Sequence, residues 1–130
     1  EIAKDARIRR AIKLPVSAPF HCTLMQPAAD EMATALADAS MTYASVPVYC
    51  NVTAGPEQAA HRLRENLVTQ VTGRVRWRET LGAVHAAGVT CFVEIGTGKV
   101  LSGLVKRTLD DVAIVNLETA DDLDTVLGAL

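Results

Sequence analysis

Residues 89–95 read Val-Thr-Cys-Phe-Val-Glu-Ile, the most apolar stretch of the chain. The run does not alternate cleanly between apolar and polar positions, as a strand with one wet face would. It fits a strand buried on both faces, the condition of strands in a parallel sheet. Gly96-Thr97-Gly98-Lys99 then reads as a tight turn into a helix with Val100, Leu101, Leu104 and Val105 apolar. Residues 112–117 form a second short apolar strand. Residues 121–130 form a terminal helix with acidic side chains in its first turn, where the helix dipole favours them. Strand, helix, strand, helix in that order predicts an α/β fold with parallel strands.

Upstream, residues 1–7 read as the end of a helix. From Arg9 to Val16 the apolar positions Ile12, Leu14 and Val16 alternate with polar ones, which predicts a half-buried strand ended or edged by Pro15. Residues 17–25 form a loop. Pro27 suits a first helical turn, and Met32, Leu36 and Ala39 draw one apolar stripe along a helix over 27–39. Residues 46–49 predict a short strand, and Gly55-Pro56 a breaker. A helix begins at Glu57, carries Leu63, Leu67 and Val71, and ends at Gly73. Trp77, Leu81, Val84 and Ala87 mark the next, stopped by Gly88.

The bulk properties exclude several classes. The chain has 130 residues, 49% hydrophobic and 22% charged, enough for one domain of an ordinary globular kind. A net charge of −2 gives no global reason to expect nucleic acid or an acidic membrane as partner. No apolar run could span a bilayer, and the first residues lack the apolar core of a signal peptide. Cys22, Cys50 and Cys91 are odd in number and widely spaced, without Cys-x-x-Cys. That argues for reduced thiols rather than a disulfide framework or structural zinc. The chain opens inside a helix with neither initiator Met nor cap, so it is expected to be part of something longer.

Few residues stand out chemically. Gly96-Thr97-Gly98-Lys99 follows a strand and precedes a helix, where backbone N–H groups could meet a phosphate. It is too short for a P-loop and lacks the third glycine of a dinucleotide fingerprint, so a glycine-dependent turn is the preferred reading. His61 and His85 fall on helices as solvated or boundary residues, whereas His21 falls in a loop between strand and helix, where catalytic groups are often mounted. Cys22 is its neighbour, but adjacent side chains on extended backbone point apart, which makes Cys22 a small buried thiol and not a partner. Asp30, Glu31, Asp110 and Asp111 read as solvated. Arg74, Arg76 and Arg78 around Trp77 could grip a phosphate or an acidic carrier protein, or be exposed charge at a helix start, which is preferred.

Four segments, taken in order, resemble one family. The run Leu-Pro-Val-Ser-Ala-Pro-Phe-His-Cys-Thr-Leu-Met-Gln-Pro-Ala over 14–28 is similar to the histidine segment of malonyl-CoA:acyl carrier protein transacylases. Val-Pro-Val-Tyr-Cys-Asn-Val over 46–52 is similar to the strand that follows. Leu67-Val68-Thr69-Gln70 with Val75-Arg76-Trp77 resembles the segment that closes beside the histidine. Residues 94–107, from Glu-Ile-Gly-Thr-Gly-Lys onward, resemble the closing strand, turn and helix.

The resemblance implies an α/β-hydrolase-like acyltransferase core with parallel strands, of which residues 17–130 would be the C-terminal part. Residues 1–16 would end an inserted ferredoxin-like subdomain. It implies transfer of a malonyl group from coenzyme A to a serine, then to the phosphopantetheine thiol of acyl carrier protein, in cytoplasmic fatty acid biosynthesis and without a cofactor or metal. His21 would be the general base, and the main-chain carbonyl of Gln70 would orient it where a triad uses a carboxylate. The serine elbow is missing, since no Gly-x-Ser-x-Gly occurs in the chain. The family's malonyl-binding arginine and oxyanion glutamine are missing too. The chain alone should therefore be silent, expose apolar surface, and need the N-terminal part of the same enzyme as partner. Phe20 hints at malonyl over methylmalonyl, and Thr97 replaces the family's usual proline. Two other readings stay open: a non-catalytic carrier-binding module using Arg74, Arg76, Arg78 and Lys106, and a piece of a polyketide-synthase acyltransferase domain.

Overall fold

A computed structural model of the chain describes residue 16 and residues 18–129. The helix end expected over 1–7, and all but the last residue of the strand expected over 9–16, lie outside the described residues. So does Leu130.

The described part begins with a loop that enters a 3-10 turn, Thr23–Met25, continuous with helix α1, Gln26–Asp38. Pro27 lies in the first turn as expected, because its missing N–H is one that no helix start can satisfy internally. Strands β1 (Val48–Tyr49) and β2 (Pro56–Glu57) pair antiparallel, Val48 opposite Glu57 and Tyr49 opposite Pro56. The intervening hairpin is closed by Cys50 N–H to Gly55 O at 3.1 Å and Ala54 N–H to Cys50 O at 2.8 Å. Helix α2 spans Ala60–Thr72 and α3 spans Trp77–Ala86.

Two boundaries differ from expectation here. The helix read from Glu57 starts three residues later. Pro56 and Glu57 are claimed by β1, and the Glu57 carboxylate turns back to accept the N–H groups of Gln58 (2.8 Å) and Ala59 (2.9 Å). Those two bonds hold its carboxyl below the usual range, the Ala59 bond first. The strand read over 46–49 is confined to its last two residues.

The second half is the β-α-β unit that the apolar run announced. Strands β3 (Cys91–Ile95) and β4 (Ala113–Leu117) pair parallel, with Cys91 opposite Ala113 and Ile95 opposite Leu117. Helix α4, Val100–Thr108, makes the crossover and packs on both strands. The expected terminal helix resolves into a 3-10 turn, Ala120–Asp122, and a short α5, Leu123–Leu127. Asp122 closes a capping box with Thr119, and its carboxyl is held low chiefly by the Thr119 N–H.

The strand β3 is half-buried rather than buried on both faces. Its described hydrogen-bonded neighbour is β4 alone, and Ile95 is 75% exposed. The core is thin. Ala29, Leu63, Leu81, Val105 and Val126 are buried, but no large side chain among the described residues is fully enclosed.

A polar cluster binds the β-α-β unit together. Glu94 on β3 accepts the N–H groups of Leu101 (3.1 Å) and Ser102 (2.7 Å) at the start of α4. Asn116 on β4 donates to Glu94 at 3.2 Å and to the Ser102 hydroxyl at 2.7 Å. One carboxylate thus satisfies two of the unpaired N–H groups of a helix start.

Candidate active site

His21 stands on the loop before α1 with φ 59, in the left-handed region. That conformation costs an L-residue about 1–2 kcal/mol, and histidine enters it more readily than most. The loop fixes it from both sides. Phe20 N–H donates to Ala18 O at 2.9 Å, the Cys22 thiol to Pro19 O at 3.1 Å, and Met25 N–H to Cys22 O at 2.9 Å. The Cys22 thiol is thus engaged by Pro19 O and not by His21, but it is half-buried rather than the buried thiol expected, and the left-handed backbone at His21 is not the extended segment on which that expectation rested.

The ring reaches the end of α2. His21 Nδ1 lies 2.8 Å from the main-chain oxygen of Gln70. Gln70 is in the last turn of the helix, where carbonyls have no intrahelical donor and must find another. Its neighbour Thr69 O takes the N–H of Gly73 at 2.9 Å. A carbonyl oxygen can only accept, so in the neutral ring Nδ1 carries the proton and Nε2 presents a lone pair. Gly73 is needed for steric reasons and not for a positive φ. A Cβ there would stand 2.8 Å from Thr69 O and 3.0 Å from Val52 Cγ1.

Around this pair lies a half-buried amide network that no local pattern of residues announces. Asn51 Nδ2 donates to Gln70 Oε1 at 3.3 Å, and Asn51 O accepts the N–H of Arg76 at 3.0 Å. The Arg76 guanidinium donates to Val52 O (3.3 Å) and Thr53 O (3.1 Å) and pairs with Glu79. Behind Asn51 and Gln70 opens a mostly apolar cavity of about 300 Å³, lined by Met41, Tyr49, Leu63 and Leu67 among others. Asn51 belongs to a segment whose resemblance is plain, but its partner is 19 residues away, beyond the reach of any local pattern.

The remaining candidates fall elsewhere. His61 and His85 are exposed, and His85 Nδ1 sits 3.2 Å from Val89 O. Cys22, Cys50 and Cys91 are free thiols. Among the described residues no group of three His, Cys, Asp or Glu side chains is placed to hold a metal ion. Gly96 (φ 126) and Gly98 (φ 90) have the positive φ of a glycine-dependent turn, and the Glu94 carboxylate already occupies the helix start that a phosphate would need. Asp30 accepts from Gln26 at 2.8 Å, while Glu31, Asp110 and Asp111 are exposed. Of the basic residues, Arg74 lies 3.5 Å from Glu79 and Arg76 is spent on the hairpin, while Arg78 and Lys106 are exposed.

No protein-family model matches the chain. Curated relatives do. It is 41% identical over 125 residues to the malonyl CoA-acyl carrier protein transacylase of Synechocystis, covering 96% of this chain and 43% of that protein. It is 43% identical over 124 residues to the enzyme of the same name from Bacillus subtilis, covering 93% and 39%. Solved structures agree. The acyl-carrier-protein-S-malonyltransferase of Bartonella henselae superposes with a TM-score of 0.90 at 46% identity, over 98% of this chain and 40% of that one. A malonyl-transacylase solved in complex with its type II PKS acyl carrier protein gives 0.87 at 40% identity, over 96% and 40%. The chain thus spans about 40% of the length of the proteins it matches. Matching sequence and matching fold along nearly every residue place the chain in the malonyl CoA-acyl carrier protein transacylase family, as the counterpart of its members' C-terminal part.

Proposed function

We propose that the chain supplies the histidine base of a malonyl-CoA:acyl carrier protein transacylase. The observation that carries this is the 2.8 Å approach of His21 Nδ1 to the Gln70 carbonyl, on a segment whose relatives bear that name. Held in this tautomer, Nε2 takes the proton of a serine hydroxyl supplied by the rest of the enzyme. The serine oxygen forms an ester bond to the malonyl carbonyl, the thioester bond to coenzyme A breaks, and the proton passes to the departing thiolate. In the second half the phosphopantetheine thiol of acyl carrier protein gives its proton to Nε2 and takes the malonyl group, and the proton returns to serine. The exchange is between thioester and ester, so it calls for a base and a nucleophile but for no redox or metal chemistry.

Gln70 does through a neutral carbonyl what a triad carboxylate does elsewhere. It fixes the ring and faces the positive charge that forms on it, from the negative end of α2. The carrier protein bound to one of the structural relatives supports acyl carrier protein as the acceptor. Residues 1–16 end an inserted subdomain on this reading, and residues 17–130 belong to the large domain. No described helix is long and apolar enough to cross a membrane. The relatives' name is what supports a place in cytoplasmic fatty acid synthesis.

The test is malonyl transfer to carrier protein by the whole transacylase and by this chain. His21→Ala in the whole enzyme should lower the rate by about 10²–10⁴, the usual share of a general base. The 130-residue chain should not transfer at all, because no Gly-x-Ser-x-Gly lies within it. Transfer by the pure chain, or a full rate after His21→Ala, would overturn the reading.

A further inference from the structure

We propose that Asn51 is a positioning residue for His21, acting through the side chain of Gln70. The inference rests on the transacylase reading for its consequence, but on the network alone for its geometry. Asn51 follows β1 in the hairpin, and its backbone is clamped. Cys50 N–H bonds Gly55 O, Asn51 O takes Arg76 N–H at 3.0 Å, and the Arg76 guanidinium bridges Val52 O and Thr53 O. From this clamped segment the Asn51 side-chain amide donates to Gln70 Oε1 at 3.3 Å in a half-buried setting. Gln70 is thereby gripped twice, its side chain by the hairpin and its carbonyl by His21. The same hairpin abuts the next turn of the helix end, where Val52 Cγ1 would stand 3.0 Å from a Cβ on Gly73.

The hairpin therefore sets where the end of α2 lies. The position of the Gln70 carbonyl follows from it, and so does the direction in which Nε2 points. A base misaimed by a fraction of an ångström loses rate without losing substrate affinity. In the full transacylase carrying this segment, Asn51→Ala should lower kcat about tenfold with KM for malonyl-CoA unchanged. Gln70→Ala removes the same bond from the other end at a site where alanine suits the helix. It should cause the same loss, and the double variant should be no worse than either single one. The Nδ1–H proton resonance of His21 reports positioning independently of activity. It should be sharp in the parent and broadened by exchange in both variants, with the rest of the spectrum unmoved.

A full kcat in Asn51→Ala beside a crippled His21→Ala would overturn the proposal, and so would losses that multiply to about a hundredfold in the double variant. An unchanged His21 Nδ1–H resonance in Gln70→Ala would overturn it even if Asn51→Ala failed to fold. Failure of the transacylase reading shows itself differently, as full transfer by His21→Ala.

Discussion

At His21 the backbone is held at φ 59, and the side chain it carries is the one that reaches Gln70 O. Strain of this kind survives where neighbours over-determine it, here the Ala18, Pro19 and Cys22 carbonyl bonds of the loop. Glycine would adopt the same angle at no steric cost. His21→Gly should therefore be more stable than His21→Ala by about 1 kcal/mol in urea unfolding of the full transacylase, while both lose transfer alike. Equal stabilities would mean that the loop relaxes its angle when the imidazole is removed. The residue itself was legible as a candidate because it lay in a loop and in a recognisable segment. Its strained backbone was not, since φ is set by bonds to Ala18, Pro19 and Cys22 that no residue pattern announces.

Among the elements, the β3-α4-β4 unit is tied by Glu94, which bridges the strand pair and the start of the helix. The Ser102 hydroxyl and N–H, then Leu101 N–H and the Asn116 amide, hold its carboxyl below the usual carboxylate range. The folded-state value lies below the unfolded one. The network therefore stabilises at pH above the ordinary carboxylate range, and its contribution fades as the pH falls through that range towards Glu94's own depressed value. Glu94→Gln should be destabilised at neutral pH, with the gap to the parent closing as the pH is lowered, as read by thermal unfolding across pH. A gap independent of pH would show that the carboxylate charge plays no part. The parallel unit was legible because a long unalternating apolar run leaves little choice of partner. The start of α2 was not: Glu57 resembles a first-turn acid, but the hairpin takes its backbone, and its carboxylate caps N–H groups ahead of the helix.

For the whole molecule, the thin core and the exposed apolar side chains belong together. Leu24 is 73% exposed, Val100 72% and Phe20 60%, and no large side chain among the described residues is fully enclosed. Such surface drives association in water. Sedimentation of the 130-residue chain should show self-association rising with concentration, and a monomer that unfolds cooperatively would contradict this. The order of four segments along the sequence was enough to read the fold class and to single out His21 as a candidate. The hairpin-to-helix contacts through Asn51 and Arg76 were not readable, because they join residues 19 to 25 positions apart in the chain. The role assigned to the His21–Gln70 pair meets its most direct test in one comparison, malonyl transfer by His21→Ala and by Gln70→Ala in the full transacylase. The expected result is a loss of about 10²–10⁴ for His21→Ala and only about tenfold for Gln70→Ala, which keeps the carbonyl. Equal losses would contradict it, for they would place the function of Gln70 in its side chain.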